Sequence, residues 1–225
     1  MGIFTVLRDP TALRGASLLL ATLCAIPAVA QPAPDGRNRQ EIVIPDFAAR
    51  GWILDLGGGC RGTIGRMKPD QVVAIDISPR ELKEAPTNFL KIIMDASDLK
   101  FLDGTFNTET AFFSLMYMPP DLHGKIFSEA YRVLQPGGRW LIWDAVVPAA
   151  SPLPGGHDIY LRTKLPSETI EYGYSIARHG RTLDAQYYVN LAKGAGFKVA
   201  SLEEQTSPRR TFYLELRKPL KWLRP

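Results

Sequence analysis

Ile53-Leu54-Asp55-Leu56-Gly57-Gly58-Gly59-Cys60-Arg61-Gly62 is an apolar run, interrupted by one acid, that passes without a spacer into a glycine-rich turn. The apolar residues read as a buried strand, and the glycines let the backbone turn tightly and approach a ligand closely. Working outward, the runs at 52–56, 72–77, 92–94, 111–116 and 140–143 read as buried strands separated by helical segments. Such alternation predicts a parallel sheet. Ser78-Pro79-Arg80-Glu81 carries a capping serine, a proline at the first helical position and a glutamate three residues after the serine, so a helix starts there. Leu122, Ile126, Ala130 and Val133 lie at helical spacing within 121–134, and Pro136-Gly137-Gly138 is expected to stop that helix. A last helix is expected over roughly 183–195, closed by Gly196, and two extended runs at 198–202 and 211–216 should pair antiparallel about a turn at Ser207-Pro208.

The glycines alone do not choose the ligand. Gly57, Gly59 and Gly62 satisfy G-x-G-x-x-G, and Asp76 ends the next strand, which is also how a nicotinamide dinucleotide site reads. Asp55 separates the alternatives: a carboxylate two residues before the turn would repel a pyrophosphate at close range. It would favour S-adenosylmethionine, which brings an ammonium and a sulfonium to that place. The short segment 63–67, ended by Pro69, also makes a poor phosphate-binding helix.

Asp55-Leu56-Gly57-Gly58-Gly59, followed in order by Ile75-Asp76, Met94-Asp95-Ala96 and Arg132-Val133-Leu134-Gln135-Pro136-Gly137-Gly138-Arg139, resembles the class I S-adenosylmethionine-dependent methyltransferases. The resemblance covers about 53–144. It implies an α/β fold: a Rossmann-like, seven-stranded, mainly parallel sheet with an antiparallel C-terminal strand and helices on both faces. It also implies roles by position. Asp55 and the backbone of Gly57, Gly58 and Gly59 would hold the methionine part, and Asp76 would accept from both ribose hydroxyls, with Ile77 beside it. Asp95 and Ala96 would address the adenine. A carboxylate suits two adjacent hydroxyl donors or an exocyclic amine; the competing reading of Asp76 or Asp95 is a capping or loop acid. Where the family commonly has a third glycine this chain has Arg61, which would either contact the cofactor carboxylate or point to solvent.

Methyl transfer from a sulfonium is an in-line displacement with an activated leaving group, so the protein mainly supplies alignment and a dry site. A general base matters only for an acceptor atom that holds a proton, and the candidates near the expected mouth are Tyr117, His123 and Asp144. Each also has a structural alternative. Tyr160, Tyr172, Tyr174, Tyr187 and Tyr188 either line an aromatic acceptor pocket or pack a hairpin and a helix. No metal site is expected, because Cys60, His123, His157 and His179 lack ligand spacing with other donors. Met116-Tyr117-Met118-Pro119-Pro120 departs from the Asn or Asp, Pro-Pro and aromatic order of adenine and glutamine-amide methyltransferases. A small-molecule acceptor and no nucleic-acid partner are therefore expected. The competing functions are a nicotinamide-dependent oxidoreductase and a methyltransferase-like domain that binds without turnover.

At 225 residues, 45% hydrophobic and 22% charged, the chain is long enough for one sizeable core. Residues 1–30 read as an export signal: Arg8 and Arg14, an apolar stretch 16–26 too short for a comfortable membrane span, Pro27, then Ala28-Val29-Ala30 before Gln31. A retained apolar helix is the competing reading. Export to the periplasm or medium is thus expected, with a cytoplasmic place if the segment is no signal. A flexible lead-in over 31–37, a methyltransferase domain over 38–218 with an inserted hairpin or lid at 146–180, and a basic, solvated tail over 219–225 complete the expected organisation. An exported enzyme would need its cofactor supplied, which is what gives the binding-only alternative its weight.

Overall fold

The computed structural model describes residues 4–5, 39–149, 157–176, 179–207 and 210–220. The lead-in, the remainder of the 1–30 segment, 150–156 and 177–178 of the insert and 221–225 of the basic tail lie outside the described residues. Among the described residues, eleven strands form two sheets: β1 (Phe4–Thr5), β2 (Arg39–Val43), β3 (Ile53–Leu56), β4 (Val72–Asp76), β5 (Leu90–Ile93), β6 (Phe106–Phe112), β7 (Leu134–Ala145), β8 (His157–Lys164), β9 (Thr169–Ile176), β10 (Lys198–Gln205) and β11 (Thr211–Arg217). The helices are α1 (Thr63–Met67), α2 (Pro79–Glu84), α3 (His123–Val133) and α4 (Ala185–Ala195).

The main sheet runs β1-β5-β4-β3-β6-β7-β11-β10. It is parallel from β1 to β7, whereas β11 lies antiparallel to both of its neighbours. The seven expected strands are all there, and the two-residue β1 adds an eighth at the β5 edge. β8 and β9 form an antiparallel hairpin, and β2 joins β8 in parallel to make a second, three-stranded sheet.

Local sequence explains most of the element ends. Ser78 caps α2 by accepting from the Glu81 amide, with Pro79 next to it. Asp184 caps α4 by accepting from the Tyr187 amide at 2.8 Å, and Gly196 closes that helix at φ 103°. Ile126, Phe127, Ala130 and Val133 form the buried stripe of α3, each large apolar side chain contributing about 1.5–3 kcal/mol. Phe127 packs on Trp140 of β7, ring centroids 4.7 Å apart.

Two expected boundaries are corrected. The run 111–116 is no single strand: β6 begins earlier, at Phe106, and ends at Phe112, and Leu115–Tyr117 is a 3-10 turn. Pro136-Gly137-Gly138 does not stop α3. That helix ends at Val133, β7 begins at Leu134, and the glycines sit in a register shift, Phe106 opposite Leu134 and Thr108 opposite Arg139.

Lys218 belongs to the basic end of the sequence, yet it is buried rather than solvated. Its Nζ donates to the carbonyls of Tyr131 at 2.6 Å and Leu134 at 2.7 Å and lies 4.5 Å from the Tyr131 ring centroid, so a cation closes the C-terminal end of α3. Lys218→Met should therefore lower stability by about 2–3 kcal/mol, since it strands buried carbonyls. Urea unfolding of both proteins checks this; an unchanged midpoint would show the contacts to be inconsequential.

Candidate active site

The site forms where β3, β4 and β6 end. Asp55, in the middle of β3, is buried and accepts a 2.7 Å hydrogen bond from the Thr110 hydroxyl of β6. Burial pushes its carboxyl up to about 7, against the opposing hydrogen bond from Thr110, with the charge of Asp76 adding to the rise. Beyond it the chain turns through Gly57 at φ 69° and Gly59 at φ 51°. A Cβ on Gly57 would stand 2.6 Å from Cβ of Ser114, and one on Gly58 2.7 Å from Cβ of Ala74. The turn is thus wedged between the ends of β4 and β6. Gly59 faces open space by comparison, with nothing nearer to such a Cβ than the Gly57 carbonyl at 3.6 Å.

Asp76, the last residue of β4, accepts from the Gly59 amide at 3.2 Å and the Ser78 amide at 2.8 Å. Burial raises its carboxyl to about 6, with those amides opposing and the Glu81 charge assisting. Glu81 accepts from the Cys60 amide at 3.3 Å, so a third acid adjoins the turn, a role its place in a capping motif did not reveal. Ile77 is exposed beside Asp76. Asp95 is exposed, closing its own turn by accepting from the Ser97 amide at 2.7 Å, and Ala96 is buried next to it. Arg61 is partly buried, its guanidinium over the Tyr172 ring, 5.5 Å from the centroid.

The three acid–base candidates meet at the 3-10 turn after β6. Asp144 is buried, accepts from the amides of Met116 at 3.1 Å and Ala145 at 2.8 Å, and is raised by burial to about 7. His123 is fully buried, with Nε2 at 3.1 Å from the carbonyls of both Leu115 and Met118, which places its proton on Nε2. Its Nδ1 lies 3.1 Å from the Tyr187 hydroxyl, and burial lowers its pKa to about 4. His179 adds a 2.7 Å contact from Nε2 to the Met116 carbonyl. Asp144, His123 and His179 are therefore engaged with backbone, and their evident work is to fix the turn. Tyr117, which that turn carries, is partly buried at the mouth, its ring centroid 5.9 Å from that of Tyr174.

The second sheet covers this end. Tyr172 reaches Thr63 of α1, hydroxyl to hydroxyl at 3.0 Å, and Arg66 meets Glu168 at 3.3 Å. Tyr174 stacks on Phe113, centroids 5.7 Å apart and planes 8° apart. Phe113 itself has φ 49°, a left-handed conformation that a bulky residue adopts only under tertiary constraint. Of the five tyrosines noted in the sequence, Tyr172 and Tyr174 reach the mouth. Tyr187 and Tyr188 pack with His123, and Tyr160 lies against Gly173. Among the described residues no group of three His, Cys, Asp or Glu is arranged to hold a metal ion, and no helix is long and apolar enough to cross a membrane.

A β-strand feeding a glycine turn, an acid beneath it and an acid at the end of the neighbouring strand, in a sheet closed by one reversed strand, define a Rossmann-like site for a nucleoside cofactor. The comparisons narrow the class. Residues 53–138 match the methyltransferase domain family. The chain is 29% identical over 163 residues to the ubiquinone/menaquinone biosynthesis C-methyltransferase of Desulfotalea psychrophila, covering 65% of each chain. It is 31% identical over 118 residues to the demethylmenaquinone methyltransferase of Beutenbergia cavernae, covering 50% of this chain and 48% of that one. It thus spans less than two thirds of the length of these curated relatives. An S-adenosylmethionine-dependent methyltransferase of Methanosarcina mazei superposes with a TM-score of 0.55 at 20% identity, over 78% of this chain and 95% of that one. Over residues 53–138 the chain is therefore similar to the methyltransferase domain family, and its fold is that of S-adenosylmethionine-dependent methyltransferases.

Proposed function

We propose that this protein transfers the methyl group of S-adenosylmethionine to a small-molecule acceptor. The observation that carries the reading is the buried carboxylate of Asp55 beneath the glycine turn, with Asp76 and Glu81 alongside. Burial has raised the first two toward neutrality, so the apo site is stabilised by a cation and opposed to a pyrophosphate. The residues fit the cofactor. Asp55 and the Gly57–Gly59 backbone would hold its methionine end, Asp76 its ribose, with Ile77 alongside, and Asp95 and Ala96 its adenine. When bound, the cofactor supplies an activated methyl group; this chain supplies orientation and a covered mouth.

The quinone methyltransferases among its relatives support a small acceptor, and the sequence at 116–120 speaks against a nucleic acid. We also read residues 1–30 as an export signal, on the apolar stretch and the Ala28-Val29-Ala30 motif. Mass spectrometry of the mature protein tests that reading, and an intact Met1 on exported protein would refute it. Calorimetric titration with S-adenosylhomocysteine and with a nicotinamide dinucleotide tests the donor. Binding of the dinucleotide alone would overturn the assignment.

A further inference from the structure

We propose that Glu81 is a positioning residue of the donor site: without touching the donor, its carboxylate holds the Cys60 amide and so sets the shape of the glycine turn. The inference deepens the donor reading above and rests on it. The turn donates three consecutive amides to a single stretch of chain, the end of β4 and the helix that follows it. The Gly58 amide meets the Ile75 carbonyl at 3.0 Å, the Gly59 amide meets Oδ2 of Asp76 at 3.2 Å, and the Cys60 amide meets Oε2 of Glu81 at 3.3 Å. Positive φ at Gly57 and Gly59 supplies the bend that this arrangement needs.

The reach of Glu81 to the turn follows from an exchange of partners at the start of α2. In a capping box the acid three residues after the cap accepts from the cap's own amide. Here the Ser78 hydroxyl accepts from the Glu81 amide at 3.4 Å, but the Ser78 amide donates to Oδ1 of Asp76 at 2.8 Å. The Glu81 carboxylate turns to Cys60 instead, with Arg80 at 3.6 Å from its other oxygen. Buried Leu82 anchors the helix that carries it. Asp76 and Glu81 therefore have different duties. A ribose hydroxyl that donates to Asp76 draws on oxygens already engaged by the Gly59 and Ser78 amides, whereas the Cys60 amide keeps an acceptor of its own. Glu81 thus holds the turn in place while Asp76 takes up the ligand. A carboxylate suits that task, because an amide bonds more strongly to an ionised oxygen than to a neutral one.

Two measurements on Glu81→Ala and Glu81→Gln test it. One is calorimetry with S-adenosylhomocysteine at pH 8, above the range in which Asp55 and Asp76 titrate. The other is amide exchange at Cys60 without ligand, read by NMR on protein carrying isotope-labelled cysteine. Alanine removes the acceptor, whereas glutamine keeps one and drops the charge. Glu81→Ala should bind S-adenosylhomocysteine about 3- to 10-fold more weakly, the range of one hydrogen bond, and its Cys60 amide should exchange about tenfold faster. Glu81→Gln should bring both readouts back to within about twofold of the wild type. An acid that merely stabilised its helix would move the urea midpoint of Glu81→Ala and neither of these readouts. Wild-type affinity or wild-type exchange in Glu81→Ala would overturn the proposal. Glutamine binding as weakly as alanine would overturn it too, since Glu81 would then act on the donor through its charge. Failure of the wild type to bind S-adenosylhomocysteine, with Cys60 exchange still dependent on Glu81, would instead defeat the donor reading alone.

Discussion

Asp55→Asn is expected to leave the protein folded and more stable at pH 8 than the wild type, while weakening S-adenosylhomocysteine binding about 30-fold. The two effects have one origin. In the folded protein without ligand the Asp55 carboxyl titrates near 7, from an ordinary value of 3.8. Its folded pKa is raised, so the protonated form is the one the fold favours, and stability falls as pH rises from about 4 to about 7. Asparagine cannot ionise and lacks that loss. Its amide oxygen can still accept from Thr110, but it offers no charge to an ammonium, a loss of about 2 kcal/mol. Thermal unfolding should therefore show the two proteins closest near pH 3.5 and the variant increasingly higher from pH 4 to pH 8. Wild-type affinity should fall below pH 7 as the carboxyl takes up a proton, whereas the variant's should stay flat down to about pH 6, where Asp76 begins to take up its own. Asp76 and Asp144 change wild-type stability in the same direction, and His123, depressed to about 4, opposes them between about 4 and 6.5. The comparison of variant with wild type at each pH is thus the informative one. Equal donor affinity at pH 8 would remove Asp55 from the site.

Alanine at Gly57 and at Gly59 should separate folding from binding. Both glycines have positive φ, which costs an alanine about 1–2 kcal/mol. At Gly57 the added carbon would also stand 2.6 Å from Cβ of Ser114, whose hydroxyl is tied to the Leu56 carbonyl at 2.7 Å and cannot easily withdraw. Gly57→Ala should then lose about 3–4 kcal/mol in all. At Gly59 the nearest atom is 3.6 Å away, so Gly59→Ala should lose little beyond the backbone strain. Its methyl enters the space a ligand needs, and donor affinity should still fall at least about tenfold. Urea unfolding and calorimetry of both variants check this. Equal stability losses would mean that the wedge against β6 is not real.

The parts of the site that were legible in the sequence are those made by neighbours in the chain. A strand, an acid and three glycines occupy consecutive positions, and the acid at 76 closes the next strand, so spacing alone placed them together. The cap of α2 is equally local. What stayed hidden depends on partners far along the chain. β6 looked like a strand only from Ala111 because Asn107, Thr108, Glu109 and Thr110 are polar. Yet Thr110 turns inward to meet Asp55, and Glu109 is buried with neither oxygen hydrogen-bonded among the described residues, its carboxyl kept well above the ordinary range by that burial. His123 and Asp144 read as acid–base candidates because the sequence cannot show that each aims at the backbone of one turn. The pairing of β2 with β8 joins residues more than a hundred positions apart, so no local pattern announces it.

The place of β11 has a consequence for biosynthesis. This strand, ending at Arg217, lies between β7 and β10 and, among the described residues, is the strand that joins β10 to the main sheet. A nascent chain that has exposed everything up to residue 205 therefore displays an open edge at β7 and an unattached eight-residue strand, both able to pair with another polypeptide. β11 can enter between these two only after translation has passed it. Handling before that moment, by a holdase or by slow release from the ribosome, should govern yield more than the stability of the finished protein does.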